Sequence, residues 1–143
     1  MKPVNGVLTF CGYRVLNASF SINRQFDNVT SGFGFTPSFT QVINQIDENK
    51  YALILGVMIE SEKDGKIMPF DAKVEMEGIF EIQNGEDHEA LMRFNATSIL
   101  FPYLRAALSS LTMIANISPV VLPTINVAKM FSDTSDDQSP KND

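Results

Sequence analysis

Phe70-Asp71-Ala72-Lys73-Val74-Glu75-Met76-Glu77-Gly78-Ile79-Phe80-Glu81-Ile82 alternates apolar and charged side chains with a period of two. Successive side chains of an extended chain point to opposite faces. The period therefore places Met68, Phe70, Ala72, Val74, Met76, Phe80 and Ile82 on one side of a strand and Asp71, Lys73, Glu75, Glu77 and Glu81 on the other. Such a strand belongs to an antiparallel sheet with one dry face and one wet, acidic face. Gly78, with no side chain to pack, predicts a bend or bulge in its middle.

Upstream, Lys63-Asp64-Gly65-Lys66 is a tight-turn signal, because Asp-Gly supplies the positive φ that a short hairpin loop needs. Before it, Tyr51-Ala52-Leu53-Ile54-Leu55-Gly56-Val57-Met58-Ile59 is apolar on both faces, the mark of a strand in the middle of its sheet. Asp47-Glu48-Asn49 turns into that run from another strand over about residues 37–46, and the two are expected to be antiparallel neighbours. Residues 28–36, with two glycines and two aromatics, read as a loop. Between residues 7 and 22, Val7, Phe10, Tyr13, Val15, Leu16, Phe20 and Ile22 follow period two imperfectly, so a bulge is expected near Gly12 or Asn17.

Downstream, Asn84-Gly85 ends the strand, and residues 86–95 form a short helix or a loop. From Thr97 or Ser98 as N-cap, Leu100, Leu104, Ala107, Leu108, Leu111, Ile114 and Ala115 recur at three and four, the stripe of an amphipathic helix ending before Pro119. Pro102 is then tolerated in the first turn. Ala106, Ser109, Ser110 and Thr112 leave the opposite face small and uncharged, which calls for a second packing partner such as a symmetry mate. Pro119-Val120-Val121-Leu122-Pro123-Thr124-Ile125-Asn126-Val127 follows, an apolar run that its prolines keep out of a helix. So much greasy irregular chain points to binding rather than chemistry.

The chain of 143 residues suits one domain that buries about two thirds of its unfolded surface. Seventeen acidic against eleven basic residues give a net charge of −6, with no basic cluster to follow a phosphate backbone; nucleic acid and anionic membranes are not expected partners. Residues 132–143 hold four aspartates, one lysine and no apolar side chain, and read as a disordered acidic tail. No window is apolar enough for a membrane span or a signal peptide. The lone Cys11, in a strand pattern, reads as a buried thiol in a reducing compartment, so the chain is expected to be cytoplasmic. The Asn-x-Ser/Thr triplets at Asn17, Asn28 and Asn95 then carry no meaning.

Catalytic signatures do not assemble. The single histidine, His88, lies between Asp87 and Glu89 and reads as a solvated loop residue, since one imidazole cannot build a tetrahedral metal site. Gly32 and Gly34 sit in an aromatic loop rather than opening a helix onto a phosphate. Asp71, Glu75, Glu77 and Glu81 read as a solvated sheet face, with a protein-docking surface and, behind it, paired catalytic carboxylates as the alternatives. Met58, Met68, Met76 and Met113 read as core filling, with an adaptable client-binding surface as the alternative. No cofactor or metal is expected.

Three blocks resemble the SecB family of bacterial export chaperones. Gly78-Ile79-Phe80-Glu81-Ile82 is similar to its Gly-Ile-Phe strand, Ile99-Leu100-Phe101-Pro102-Tyr103-Leu104-Arg105 to its Ile-Leu-Phe-Pro-Tyr-Ala-Arg helix start, and residues 119–127 to its proline-bounded crossover loop. Phe35-Thr36-Pro37 stands where the family has Trp-x-Pro. The helix-start string is the most specific, and the likeness extends over about residues 7–131.

The resemblance implies an α+β fold, a four-stranded antiparallel sheet with a long helix packed on one face, in a chaperone domain over residues 1–131. It implies a homotetramer, a dimer of dimers, with the helix positions Leu100, Tyr103, Ala106, Ser109, Ser110 and Met113 at subunit contacts. It also implies ATP-independent holding of unfolded client polypeptides in a groove lined by Phe39, Ile43, Val121, Ile125, Met130 and Phe131, without catalysis. The family's tail meets the translocase motor SecA, for which Asp71, Glu75 and Glu77 would be the docking face. Here Val127-Ala128-Lys129-Met130-Phe131 gives way at once to Ser132-Asp133, leaving the family's second helix short or absent. A chaperone dedicated to one client, such as an antitoxin, therefore stands beside general export as the alternative. A small-molecule-binding α+β domain with its pocket under the helix, which would need convergent polar groups, and an oligomeric adaptor stand behind both.

Overall fold

The computed structural model describes residues 7–24, 37–63, 66–67 and 69–116. Within them the strands β1 (Leu8–Ile22), β2 (Ser38–Asp47), β3 (Lys50–Ile59), β4 (Glu62–Lys63), β5 (Lys66–Ile67) and β6 (Phe70–Ile82) precede a helical stretch. That stretch consists of α1 (His88–Ala90), a π-helical segment (Leu91–Ala96) and α2 (Thr97–Ile114). The main sheet is antiparallel throughout in the order β1-β6-β3-β2. The expected α+β architecture is the one observed. β4 and β5 form a small hairpin in which Lys63 pairs with Lys66; the Asp64-Gly65 turn and Met68 lie outside the described residues.

β6 carries out its alternation in full: Phe70, Ala72, Val74, Met76, Phe80 and Ile82 are buried, and the charged positions between them are not. β3 is paired on both sides, as its doubly apolar sequence requires, and buries Leu53, Leu55, Val57 and Ile59 on the same face. Gly78 does not break this strand, whose register with β3 runs unshifted through Leu53 and Gly78. A Cβ there would lie 3.2 Å from both Leu100 methyls and 3.0 Å from the Phe80 ring, so the missing side chain makes room for the helix rather than for a bend. The opposite sheet face is less uniformly wet than the alternation suggests, because Val42 lies across from Ile54, and Ala52 from Ile79.

In β1 the register shifts twice, between Phe10 and Gly12 and between Val15 and Asn17, where one bulge at either place was expected. Gly12 adopts φ 119°, open to glycine alone without strain. Cys11, in the first bulge of this edge strand, is exposed; the expectation of a buried thiol is corrected, since an edge strand has little above it.

The helical stretch begins ten residues before the expected cap. Asp87 is the N-cap, accepting from the Ala90 N–H at 3.1 Å, and chain 88–114 is helical throughout. Thr97 and Ser98 do not cap: their hydroxyls donate backwards, to the carbonyls of Met92 (3.2 Å) and Phe94 (2.8 Å). Pro102 consequently lies inside α2 rather than in a first turn, on its exposed side. Leu100, Leu104 and Leu108 are completely buried against β3 and β6. The stripe ends earlier than expected, because Ile114 is 83% exposed. Asn116, at φ 62°, closes the helix in the left-handed conformation.

Candidate functional surfaces beside the helix

Having no charged side chain except Arg105, α2 lies on the sheet with one aromatic aimed at each edge strand. Toward β1, Tyr103 packs against Phe10 (5.6 Å between ring centroids) and Tyr13 (4.7 Å). Toward β2, Phe101 packs against Phe39 (5.9 Å). The helix thus divides the apolar side of the sheet into two flanks.

On the β1 flank, the helix positions Ile99, Tyr103, Ala106, Ser110 and Met113 share one exposed face without a charge, beside Tyr13 and Val15 on the strand. Four of the six positions assigned to subunit contacts, Tyr103, Ala106, Ser110 and Met113, lie on it, and Ser109 is half-buried at its border. Leu100 is a correction: it is fully covered by its own chain, because its place opposite Gly78 turns it into the core.

On the β2 flank, Phe39 and Ile43 are half-buried on the helix side of an edge strand and pack against the core. Val121, Ile125, Met130 and Phe131 lie outside the described residues. Between Phe39 and Ile43 stands Gln41, whose side-chain amide donates to the Arg93 carbonyl (2.8 Å) and to the Thr97 hydroxyl (2.7 Å). Sequence reading passed over Gln41, since nothing in its neighbourhood marks one polar residue on an edge strand as tied to a helix fifty residues away.

On the opposite sheet face, the three carboxylates considered for docking are engaged within the chain. Asp71 accepts from the Ser61 N–H (2.7 Å), Glu75 faces Lys73 (3.4 Å), and Glu77 is paired with the Arg14 guanidinium (2.9 Å). His88 is not a solvated loop residue. Its Nε2 faces the Gln83 carbonyl at 3.0 Å and its Nδ1 the Tyr51 hydroxyl at 2.8 Å. A carbonyl can only accept, so Nε2 carries the proton, and in the neutral ring Nδ1 accepts from the tyrosine. The imidazole fastens the helix start to β3. Among the described residues no group of His, Cys, Asp and Glu is placed to hold a metal ion. No helix among them is long and apolar enough to cross a membrane. A cleft of about 560 Å³ opens at the sheet end among Val7, Asp47, Asn49, Lys50, Glu81 and Gln83, not under α2.

Residues 35–138 match the family model described as preprotein translocase subunit SecB. The chain belongs to the SecB family. It is 39% identical over 92 residues to an uncharacterized protein of Methanocaldococcus jannaschii, covering 62% of this chain and 59% of that one. It is 31% identical over 91 residues to the protein-export protein SecB of Saccharophagus degradans, covering 62% and 54%. The matched part spans little more than half the length of these relatives. Among solved structures, the fold is similar to the SecB-like chaperone of Mycobacterium tuberculosis in complex with a ChAD peptide from the HigA1 antitoxin. That similarity has a TM-score of 0.66 and 17% identity over 82% of this chain and 89% of the other.

Proposed function

We propose that this SecB-family chain is an ATP-independent holdase that keeps non-native polypeptides from aggregating. The observation that carries the reading is the pair of apolar flanks beside an almost uncharged helix. One flank, Tyr13, Val15, Tyr103, Ala106, Ser110 and Met113, serves a second copy of the chain in a dimer of dimers. The other, Phe39 and Ile43 together with Val121 and Ile125 from the proline-bounded run and Met130 and Phe131 beyond it, serves clients. Many weak apolar contacts along an extended segment add up without sequence specificity. No catalytic step and no cofactor enter this reading, which places the protein in the cytoplasm. Contact with SecA through Asp71, Glu75 and Glu77 requires a basic partner to displace Arg14 from Glu77.

A second reading, a chaperone dedicated to one client, is favoured by the likeness to a fold solved with an antitoxin peptide. One experiment tests the holdase and separates the two. The protein is titrated, without ATP, into an aggregating unfolded reporter, and Val121→Ser combined with Ile125→Ser is compared with wild type. The holdase predicts suppression by wild type, weakened in the variant at an unchanged thermal midpoint. A dedicated chaperone predicts that neither suppresses aggregation of an arbitrary reporter. A fallen midpoint with unchanged suppression would make Val121 and Ile125 ordinary core.

A further inference from the structure

The period of β2 puts Phe39, Gln41 and Ile43 on one side of the strand, so a polar amide stands in the middle of the apolar strip assigned to clients. Left free, that amide would hold water, and a client covering the strip would have to remove it without replacing its hydrogen bonds. The helical stretch resolves this conflict. In an uninterrupted α-helix the Thr97 N–H would bond to the Arg93 carbonyl. Here it bonds to the Phe94 carbonyl, and Arg93 O accepts from Gln41 Nε2 instead. The second amide hydrogen goes to Thr97 Oγ1, whose own O–H donates to the Met92 carbonyl. Thr97 is completely buried, so its hydroxyl is an acceptor built into the protein, and Arg93, which supplies the other acceptor, is half-buried beside it.

We infer that the π-helical segment Leu91–Ala96 is a receptor for the Gln41 amide, and that by drawing it into the helix this segment leaves the strand face between Phe39 and Ile43 apolar enough to bind client. Gln41 thereby takes no part in holding client: half-buried, it has its amide tied to the helix and kept off the strip. This inference rests on the holdase reading. A helix that merely needed to cover the sheet would have no use for the extra residue of a π-turn.

The test measures affinity for a permanently unfolded reporter, reduced and carboxymethylated lactalbumin, beside the thermal midpoint. In Gln41→Glu the side chain cannot donate to Arg93 O; the carboxylate is expelled onto the strip, and affinity falls about tenfold or more. In Gln41→Leu nothing polar remains to expel. Its affinity stays at the wild-type level while its midpoint falls, because Arg93 O has lost a donor. Deleting the exposed Asn95 takes one residue out of the π-helical segment and with it the placement of the Arg93 carbonyl, so affinity again falls about tenfold. Combining the deletion with Gln41→Leu restores affinity and midpoint together. Equal loss of affinity in Gln41→Glu and Gln41→Leu, or wild-type affinity in the deletion, would overturn this inference and leave the holdase intact. A wild type that binds no reporter would overturn both.

Discussion

β1 and β6 are neighbours of similar length, paired from Leu8 with Ile82 to Ile22 with Phe70, and both alternate apolar and polar residues; their fates differ. Met76 and Phe70 of β6 are fully buried, whereas their partners Val15 and Ile22 on β1 are 47% and 50% exposed on the same side of the sheet. Alternation therefore reports which face a side chain occupies, not whether anything lies above it. Coverage is decided by where α2 crosses, and α2 crosses β3 and β6. β1 is partly buried only at Leu8, paired with Ile82, at Phe10, beside Phe80 and Tyr103, and at Phe20, beside Phe70.

This contrast can be broken most directly in its buried half. Phe80→Ala is expected to cost about 3–5 kcal/mol in urea unfolding, with Val15→Ala on the neighbouring strand costing less than about 1 kcal/mol. Comparable losses in the two variants would mean that another molecule buries β1, and a dependence of the Val15→Ala loss on protein concentration would show that the molecule is a second copy. Next in size, Ala106→Glu places a charge on the uncharged helix face beside β1. If that face is an interface, the variant should weaken assembly by about 3 kcal/mol, roughly two orders of magnitude in dissociation constant, without unfolding the protomer. Analytical ultracentrifugation reads this out, and a wild type that sediments as a monomer at micromolar concentration would sink the interface. The smallest effect belongs to the wet face of the same strand pair. Arg14 is largely exposed, so Arg14→Ala should cost no more than about 0.5 kcal/mol, and the difference should vanish at high salt.

What the sequence made legible was local. The β6 period, the doubly apolar β3 and the turn at Asp47-Glu48-Asn49 located three strands, and Gly12 and Asn17 marked the two places where β1 bulges, of which one was expected. The Leu100, Leu104 and Leu108 spacing located the helix. Features that depend on distant partners were hidden. The exposure of Cys11 follows from the edge position of β1, which strand order alone decides. Chain 86–95 carries no amphipathic stripe because only Leu91 and Met92 of it reach the core, and the rest of its anchorage is single polar bonds, His88 to Tyr51 and Gln41 to Arg93. Gly78 looked like a defect of its own strand, when its reason is a leucine from the helix. Of the surface proposed to bind clients, Phe39 and Ile43 were accessible through family resemblance alone, and Gln41 was not accessible at all.

The strand order also sets a timetable. β2 and β3 are joined by the turn Glu48-Asn49 and can zip within microseconds of being available. β1 is made before either of them, yet its main-chain partner β6 is made after both. Its pairing closes the longest loop in the sheet, and the entropy of that closure must be met before any contact rewards it. During synthesis β1 therefore waits as an open, extended segment of aromatic and β-branched side chains until the far end of the domain has emerged. For that interval the nascent chain displays the same kind of surface that the finished protein is proposed to shelter in others.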